Sequence, residues 1–134
     1  MGQIKKAVPA AEEDQVSRKL LVWLNTFPDK PVDLIRFEFL PEDTAAMALS
    51  TIQATYIVRK YILGGYEAEY QFKIIYRMKP GNSNDKRLKA DELLNALGDW
   101  AAAQTPPNIG DGRRVIRIEP TARSSMFAVY ENGD

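Results

Sequence analysis

The residues from Tyr66 to Lys79 alternate without interruption. Tyr66, Ala68, Tyr70, Phe72, Ile74, Tyr76 and Met78 occupy one parity, and Glu67, Glu69, Gln71, Lys73, Ile75, Arg77 and Lys79 the other. Successive side chains of a strand point to opposite sides, so the pattern predicts a β-strand with one buried and one solvated face. Gly64-Gly65 directly before it supplies the positive φ angles of a tight turn, with Ala54–Leu63 as the incoming arm. At about 3.3 Å per residue the return arm spans roughly 45 Å, whereas a domain of this length is roughly 36 Å across. Such a ribbon projects or bends, and a projecting ribbon serves contact with something else. The return arm also outruns the incoming one, so its far end is expected to pair elsewhere in the sheet.

The flanking segments supply the rest of a fold. Val16, Leu20, Trp23, Leu24 and Phe27 form one stripe of a helix over Pro9–Phe27, with Glu12, Glu13 and Asp14 at its positive end and Pro28 and Pro31 stopping it. Leu34–Leu40 predicts a strand with Ile35, Phe37 and Phe39 on one face and Arg36 and Glu38 on the other, and Met47–Ile52 a weaker one. After the turn signal Pro80-Gly81-Asn82-Ser83, a helix over 84–103 has Ala90, Leu93, Leu94, Leu97 and Ala101 as its inner face and Trp100 at the edge of that face. Short strands follow at Val115–Ile118 and Met126–Tyr130. Asn132-Gly133 is another hairpin signal, so either the last strand is an unpaired edge or a return strand belongs beyond it. The pattern predicts an α+β fold, two helices packed on an antiparallel sheet with a long β-hairpin. The chain is read as a single domain over 1–134, with 1–9 as a flexible lead.

What the chain lacks narrows its chemistry. It has no cysteine and no histidine. That removes thiolates, disulfides, the commonest general base and the commonest transition-metal ligand. Glu67 and Glu69 have the spacing of a carboxylate pair, but Lys73 and Arg77 continue their face as a solvated charge ladder. Gly110-Asp111-Gly112-Arg113-Arg114 lacks the Gly-Lys-Ser/Thr ending and the following helix of a phosphate-binding loop. The reading is therefore a non-enzyme with no catalytic, cofactor-binding or metal-binding residue. No apolar run is long enough to predict a membrane span. The N-terminus lacks the apolar segment of a signal peptide, which predicts a protein that stays in the cytoplasm.

Net charge is zero, from 18 basic and 18 acidic residues, yet the signs are segregated. Arg59–Lys89 holds eight basic residues against three acidic, a net of +5, and Asp91–Asp134 four against seven, a net of −3. These are either ordinary solvated faces or complementary surfaces suited to head-to-tail contact in a closed ring. Five of the six tyrosines, Tyr56, Tyr61, Tyr66, Tyr70 and Tyr76, belong to the ribbon. Tyrosine suits half-wet interfaces, although β-propensity also favours it in strands. Arg59, Lys60, Lys73, Arg77 and Lys79 among these aromatics carry an alternative, a nucleic-acid-binding surface working by charge and stacking. The neutral whole and the shared face of Tyr70, Phe72, Ile74 and Tyr76 weigh against it.

Three segments together carry a family resemblance: 47–56 (MALSTIQATY), 64–77 (GGYEAEYQFKIIYR) and 87–100 (RLKADELLNALGDW). They resemble small minor capsid or tail-completion proteins of tailed bacteriophages and of prophages in Gram-positive bacteria, in the same order of elements from about Ala10 onwards. The resemblance implies a structural virion protein of the tail terminator or head–tail joining class. It would be assembled in the host cytoplasm, reside at the tail or head–tail junction, and form a ring, commonly of six subunits, at the end of the tail tube. Its partners would be its own copies, the tube protein and connector proteins. The implied assembly contacts are Tyr61, Leu63, Gly64, Gly65, Tyr66, Glu67, Glu69, Lys73 and Arg77 on the ribbon, with Lys79, Lys86 and Arg87 in the basic segment after it. The family also continues past a turn like Asn132-Gly133 into a final strand.

Overall fold

The computed structural model describes residues 6–41, 45–77, 84–110, 112–120 and 125–132; for 84–87, 120, 125, 127, 129, 131 and 132 the description is of the backbone alone. The elements in chain order are α1 (Ala10–Leu24), β1 (Ile35–Phe37), β2 (Ala46–Thr51), β3 (Tyr56–Lys60), β4 (Tyr66–Arg77), α2 (Asn84–Ala103), β5 (Arg113–Pro120) and β6 (Ser125–Asn132). The strands form one sheet of order β1-β2-β4-β6-β5, with β3 also paired to β4. The class is α+β, as the pattern predicts. The sheet is mixed rather than wholly antiparallel, because β1 runs parallel to β2.

The alternation of β4 is realised in full. Ala68, Tyr70, Phe72 and Ile74 are buried, while Glu67, Glu69, Gln71, Lys73 and Arg77 line the wetter face. The buried parity continues across the sheet: Ile74 lies opposite Leu49, Phe72 opposite Met126 and Tyr70 opposite Ala128. Yet β4 is not an outreaching ribbon. One of its edges carries β6 from Tyr66 to Lys73, and the other carries β3 at Tyr66–Glu69 and β2 at Phe72–Arg77. A strand bonded on both edges is the middle of a sheet, so its length is absorbed inside the fold. The long hairpin expected around Gly64-Gly65 reduces to the short arm β3 and a turn at 61–65. The expectation that the far end of β4 pairs elsewhere holds, with β2 as the partner.

Both ends of the described chain are tied down more firmly than the sequence suggests. Val8 N donates to Thr55 O at 2.9 Å and Ile57 N to Lys6 O at 2.8 Å, with Val8 buried, so residues 6–8 line the outer edge of β3, while 1–5 of the expected flexible lead lie outside the described residues. At the other end β6 sits between β4 and β5, so it is not an unpaired edge.

The helices complete one core with the sheet. α1 buries Val16, Leu20 and Leu24, and α2 buries Leu97 and Ala101. Trp23 stacks on Trp100 with ring centroids 5.0 Å apart, and Phe27 lies 5.3 Å from the same ring, which fastens one helix to the other. β1 is where the sequence misleads. Ile35 is fully buried, but Phe37 and Phe39 are exposed. The strand stops at Phe37 and Glu38 adopts a φ of +56°, a left-handed conformation that turns the chain and resets which side faces inward. Glu38 is held there by its own N–H to Leu49 O at 2.9 Å and by Thr51 N donating to its Oε1 at 2.6 Å. Among the described residues no helix is long and apolar enough to cross a membrane.

Candidate functional site

The turn Tyr61-Ile62-Leu63-Gly64-Gly65 is the part of the β3–β4 unit that lies beyond the last registered pair. Gly64 and Gly65 take φ values of +103° and +82°, a region that a β-carbon disfavours. Tyr61 N donates to Gly65 O at 3.1 Å and Gly64 N to Tyr61 O at 3.3 Å, closing the turn. The Tyr61 hydroxyl donates to Glu67 Oε1 at 2.9 Å, which ties the turn to the outer face of β4. The result is an apolar tip: Ile62 and Leu63 are 102% and 100% exposed. Leu63 belongs to the expected contact set and Ile62 does not. The signal for Ile62 was its place beside Leu63 directly ahead of the Gly64-Gly65 turn.

Tyr66 is placed differently from its expected role. It faces the core side, and its hydroxyl donates to Glu12 Oε1 at 2.6 Å. The Tyr130 hydroxyl donates to Glu12 Oε2 at 2.7 Å, and Arg113 Nε lies 3.7 Å from Oε1. Glu12, only 5% exposed, thus joins α1, β4, β5 and β6 in one buried clamp, where the sequence suggested no more than a charge at a helix end. Burial, reinforced by the bond to Glu12 and its charge, pushes the Tyr130 hydroxyl far above the usual phenol range. Burial also pushes Tyr70 up to about 12, against a hydrogen bond shared with Ser17 at 2.7 Å that lowers it.

The remaining expected contacts divide. Glu67, Glu69, Lys73 and Arg77 do form one row along the outer face of β4, with Glu69 accepting from Gln71 Nε2 at 2.6 Å and Glu67 opposite Arg59. Lys79 lies outside the described residues. Lys86 and Arg87 fall within α2, but their side chains are outside the description.

The basic ribbon and the acidic C-terminal part adjoin each other, because β4 and β6 are bonded neighbours within one sheet. The ribbon tyrosines divide: Tyr70 is fully buried, Tyr66 is bound to Glu12 and Tyr76 packs against the core, whereas Tyr56 and Tyr61 are half-buried. Among the described residues, Glu67 and Glu69 share the outer face of β4 with Lys73 and Arg77. No family model, curated protein or solved structure matches this chain.

Proposed function

We propose that this chain is a structural protein of a tailed-phage particle, of the tail terminator or head–tail joining class, that works by assembling into a ring at the end of the tail tube. The observation that carries this reading is the hydrogen-bonded glycine turn that leaves Ile62 and Leu63 wholly in solvent. Soluble domains rarely keep two adjacent aliphatic side chains fully exposed at a glycine-shaped tip unless another surface covers them. The family resemblance of segments 47–56, 64–77 and 87–100 supplies the biological setting. In this reading each protomer offers its tip to a neighbour, and the closed ring of about six copies presents a docking face to the tube. The mechanism is geometric, and it requires no catalytic group.

The test is the mass of the purified protein by light scattering coupled to size exclusion, repeated with purified tube protein. A discrete species near six protomers, or a ring seen by electron microscopy on tube ends, is expected. A monomer in both settings would refute the proposal.

A further inference from the structure

We propose that the hollow between α1 and β1 is a binding site for an apolar α-amino acid, free or as the last residue of a chain. The group recognised is a carboxylate, a neighbouring N–H and an apolar side chain on one carbon. This inference goes beyond the ring reading and does not depend on it. The hollow, of about 320 Å³, is lined by Asp14, Ser17, Arg18, Leu21 and Phe37. A second, of about 380 Å³, shares Leu21 and Phe37 and continues over Val22, Leu34 and Phe39, so the apolar wall has room beyond the first.

A hydroxyl hydrogen in the wall is without an acceptor. Ser17 Oγ lies 2.7 Å from the Tyr70 hydroxyl, and among the described residues neither oxygen has another hydrogen-bond partner. Two hydroxyls bring two hydrogens, and only one of them lies between the oxygens. Tyr70 is fully buried, whereas Ser17 is 6% exposed and lines the hollow. Buried donors are satisfied in native proteins, so the second hydrogen calls for an acceptor in that hollow. An added strand is not the occupant, because Asn25 already holds the backbone of β1: Ile35 N donates to Asn25 Oδ1 at 2.7 Å, and Asn25 Nδ2 donates to Ile35 O at 3.1 Å.

The rim offers both signs of charge. Asp14 and Arg18 have the i, i+4 spacing of a helical ion pair, yet among the described residues neither makes one. Arg36, over the Phe39 ring at 6.0 Å, adds a second guanidinium in the adjoining hollow. Asp14 against Arg18 and Arg36 leaves one positive charge, which favours a carboxylate. Against a plain anion stand Glu13, Glu38 and Asp14, whose charges all reach the Tyr70 hydroxyl. A group with both signs meets a partner for each. Arg18 and the Ser17 hydrogen receive the carboxylate, Asp14 accepts from the N–H, and Leu21 and Phe37 cover the side chain.

Isothermal titration and saturation-transfer NMR with L-phenylalanine test the site. For a ligand of this size a Kd on the order of 1 mM is expected. Phenylalaninamide lacks the carboxylate, phenylpropionate lacks the amino group, and D-phenylalanine cannot place all three groups at once, so each should bind about tenfold more weakly. Arg18→Gln and Asp14→Asn, both at exposed positions, should each lose about tenfold with folding checked by circular dichroism, whereas Leu88→Ser at an exposed site on α2 should bind as wild type. N-acetylphenylalanine separates the sources: tighter binding than the free amino acid assigns the site to the end of a chain, and weaker binding to the small molecule. No binding at about 20 mM, or equal binding of acid, amide and enantiomer, overturns the proposal. Rings that form without phenylalanine binding sink this site and leave the ring reading intact. Binding by a protein that stays monomeric with tube protein keeps the site and refutes the ring.

Discussion

The Glu12 clamp gives the sharpest test of the fold, because two readings of one residue differ in magnitude. If Glu12 acts only on the dipole of α1, its removal costs about 0.3–1 kcal/mol. In the structure it accepts hydrogen bonds from Tyr66 and Tyr130 at 2.6 and 2.7 Å while almost wholly out of water. Hydrogen bonds to a charged group contribute about 1.5–3 kcal/mol each. Glu12→Ala removes both and strands the fully buried Tyr130 hydroxyl, while relieving the carboxylate of its own desolvation. Breaking one partner out of such a buried charged cluster costs about 3–5 kcal/mol.

Thermal unfolding followed by circular dichroism at pH 7 separates the readings. At about 2.1 cal/mol/K per residue, a chain of 134 residues has an unfolding entropy near 0.28 kcal/mol/K. Glu12→Ala should therefore lower Tm by about 10–18 °C. Glu13→Ala, in the same turn but half-exposed, serves as the dipole control and should lower it by about 1–4 °C. Glu12→Gln, which keeps the shape and one acceptor, should fall between them. A cycle of Glu12→Gln with Tyr130→Phe should show about 1–2 kcal/mol of coupling. Equal losses for Glu12→Ala and Glu13→Ala, or no coupling in the cycle, would refute the clamp.

Four further outcomes are expected. Tyr70 and Tyr130 have hydroxyl pKa values raised on folding, so their stabilisation is complete below pH 10 and is lost as pH rises; with Tyr70 near 12, on the order of 3 kcal/mol disappears between pH 10 and 12 on its account. Urea titrations across that range should show the fall, and a Tyr70→Phe protein whose alkaline limb is as steep as wild type would contradict it. The chain has only two tryptophans and they stack, so near-ultraviolet circular dichroism should show a coupled band that Trp23→Phe and Trp100→Phe each abolish; a band surviving either change would mean that the rings are apart. Gly64→Ala meets no atom within 4 Å but forces a β-carbon to a φ of +103°, so denaturant titration should show a loss of about 1–2 kcal/mol, and no loss at all would mean that the turn is not held there. Finally, an apolar tip contact should keep the oligomer mass unchanged between about 0.05 and 1 M salt, whereas dissociation at high salt would return the contact to the charged row of β4.

How much of this the sequence disclosed depended on whether a signal was local. The alternation of β4 needed no context, and neither did the stripe of α1 or the span of α2, so those elements were legible. Strand neighbours were not. Nothing in 66–79 says that 125–132 will lie along its edge, and that one pairing turned a projecting ribbon into a central strand and joined the two charge-segregated segments in one sheet. Phe39 was misassigned because strict alternation assumes an unbroken strand, and Glu38 breaks it with a left-handed φ that only Leu49 and Thr51 explain, whereas Phe37 shares the parity of Ile35 but ends an outermost strand and stays exposed there. Leu21 and Val22 did carry a legible hint, since both sit off the apolar stripe of α1 and yet are aliphatic. Of the expected contacts, Tyr61, Leu63, Gly64 and Gly65 coincide with the turn. Tyr66 was displaced by a partner, Glu12, that lies 54 residues away in sequence.

That displacement links the clamp to the tip. Tyr66 is the first residue of β4 and pairs with Lys60, the last of β3, so the bond to Glu12 grips the turn at its root. Residues 6–8 grip the same unit from the outer edge of β3. A turn with two consecutive glycines and no such anchorage would be slack, and ordering it on contact would cost about 1–2 kcal/mol per residue. Over the five residues 61–65 that sum rivals the roughly 3–6 kcal/mol available from burying one Ile and one Leu. A floppy tip would therefore gain little by docking. In the proposed ring the clamp settles that entropy during folding, so the apolar gain of the tip is left to hold one protomer to the next. The buried carboxylate and the two exposed aliphatics are, in this sense, parts of one device.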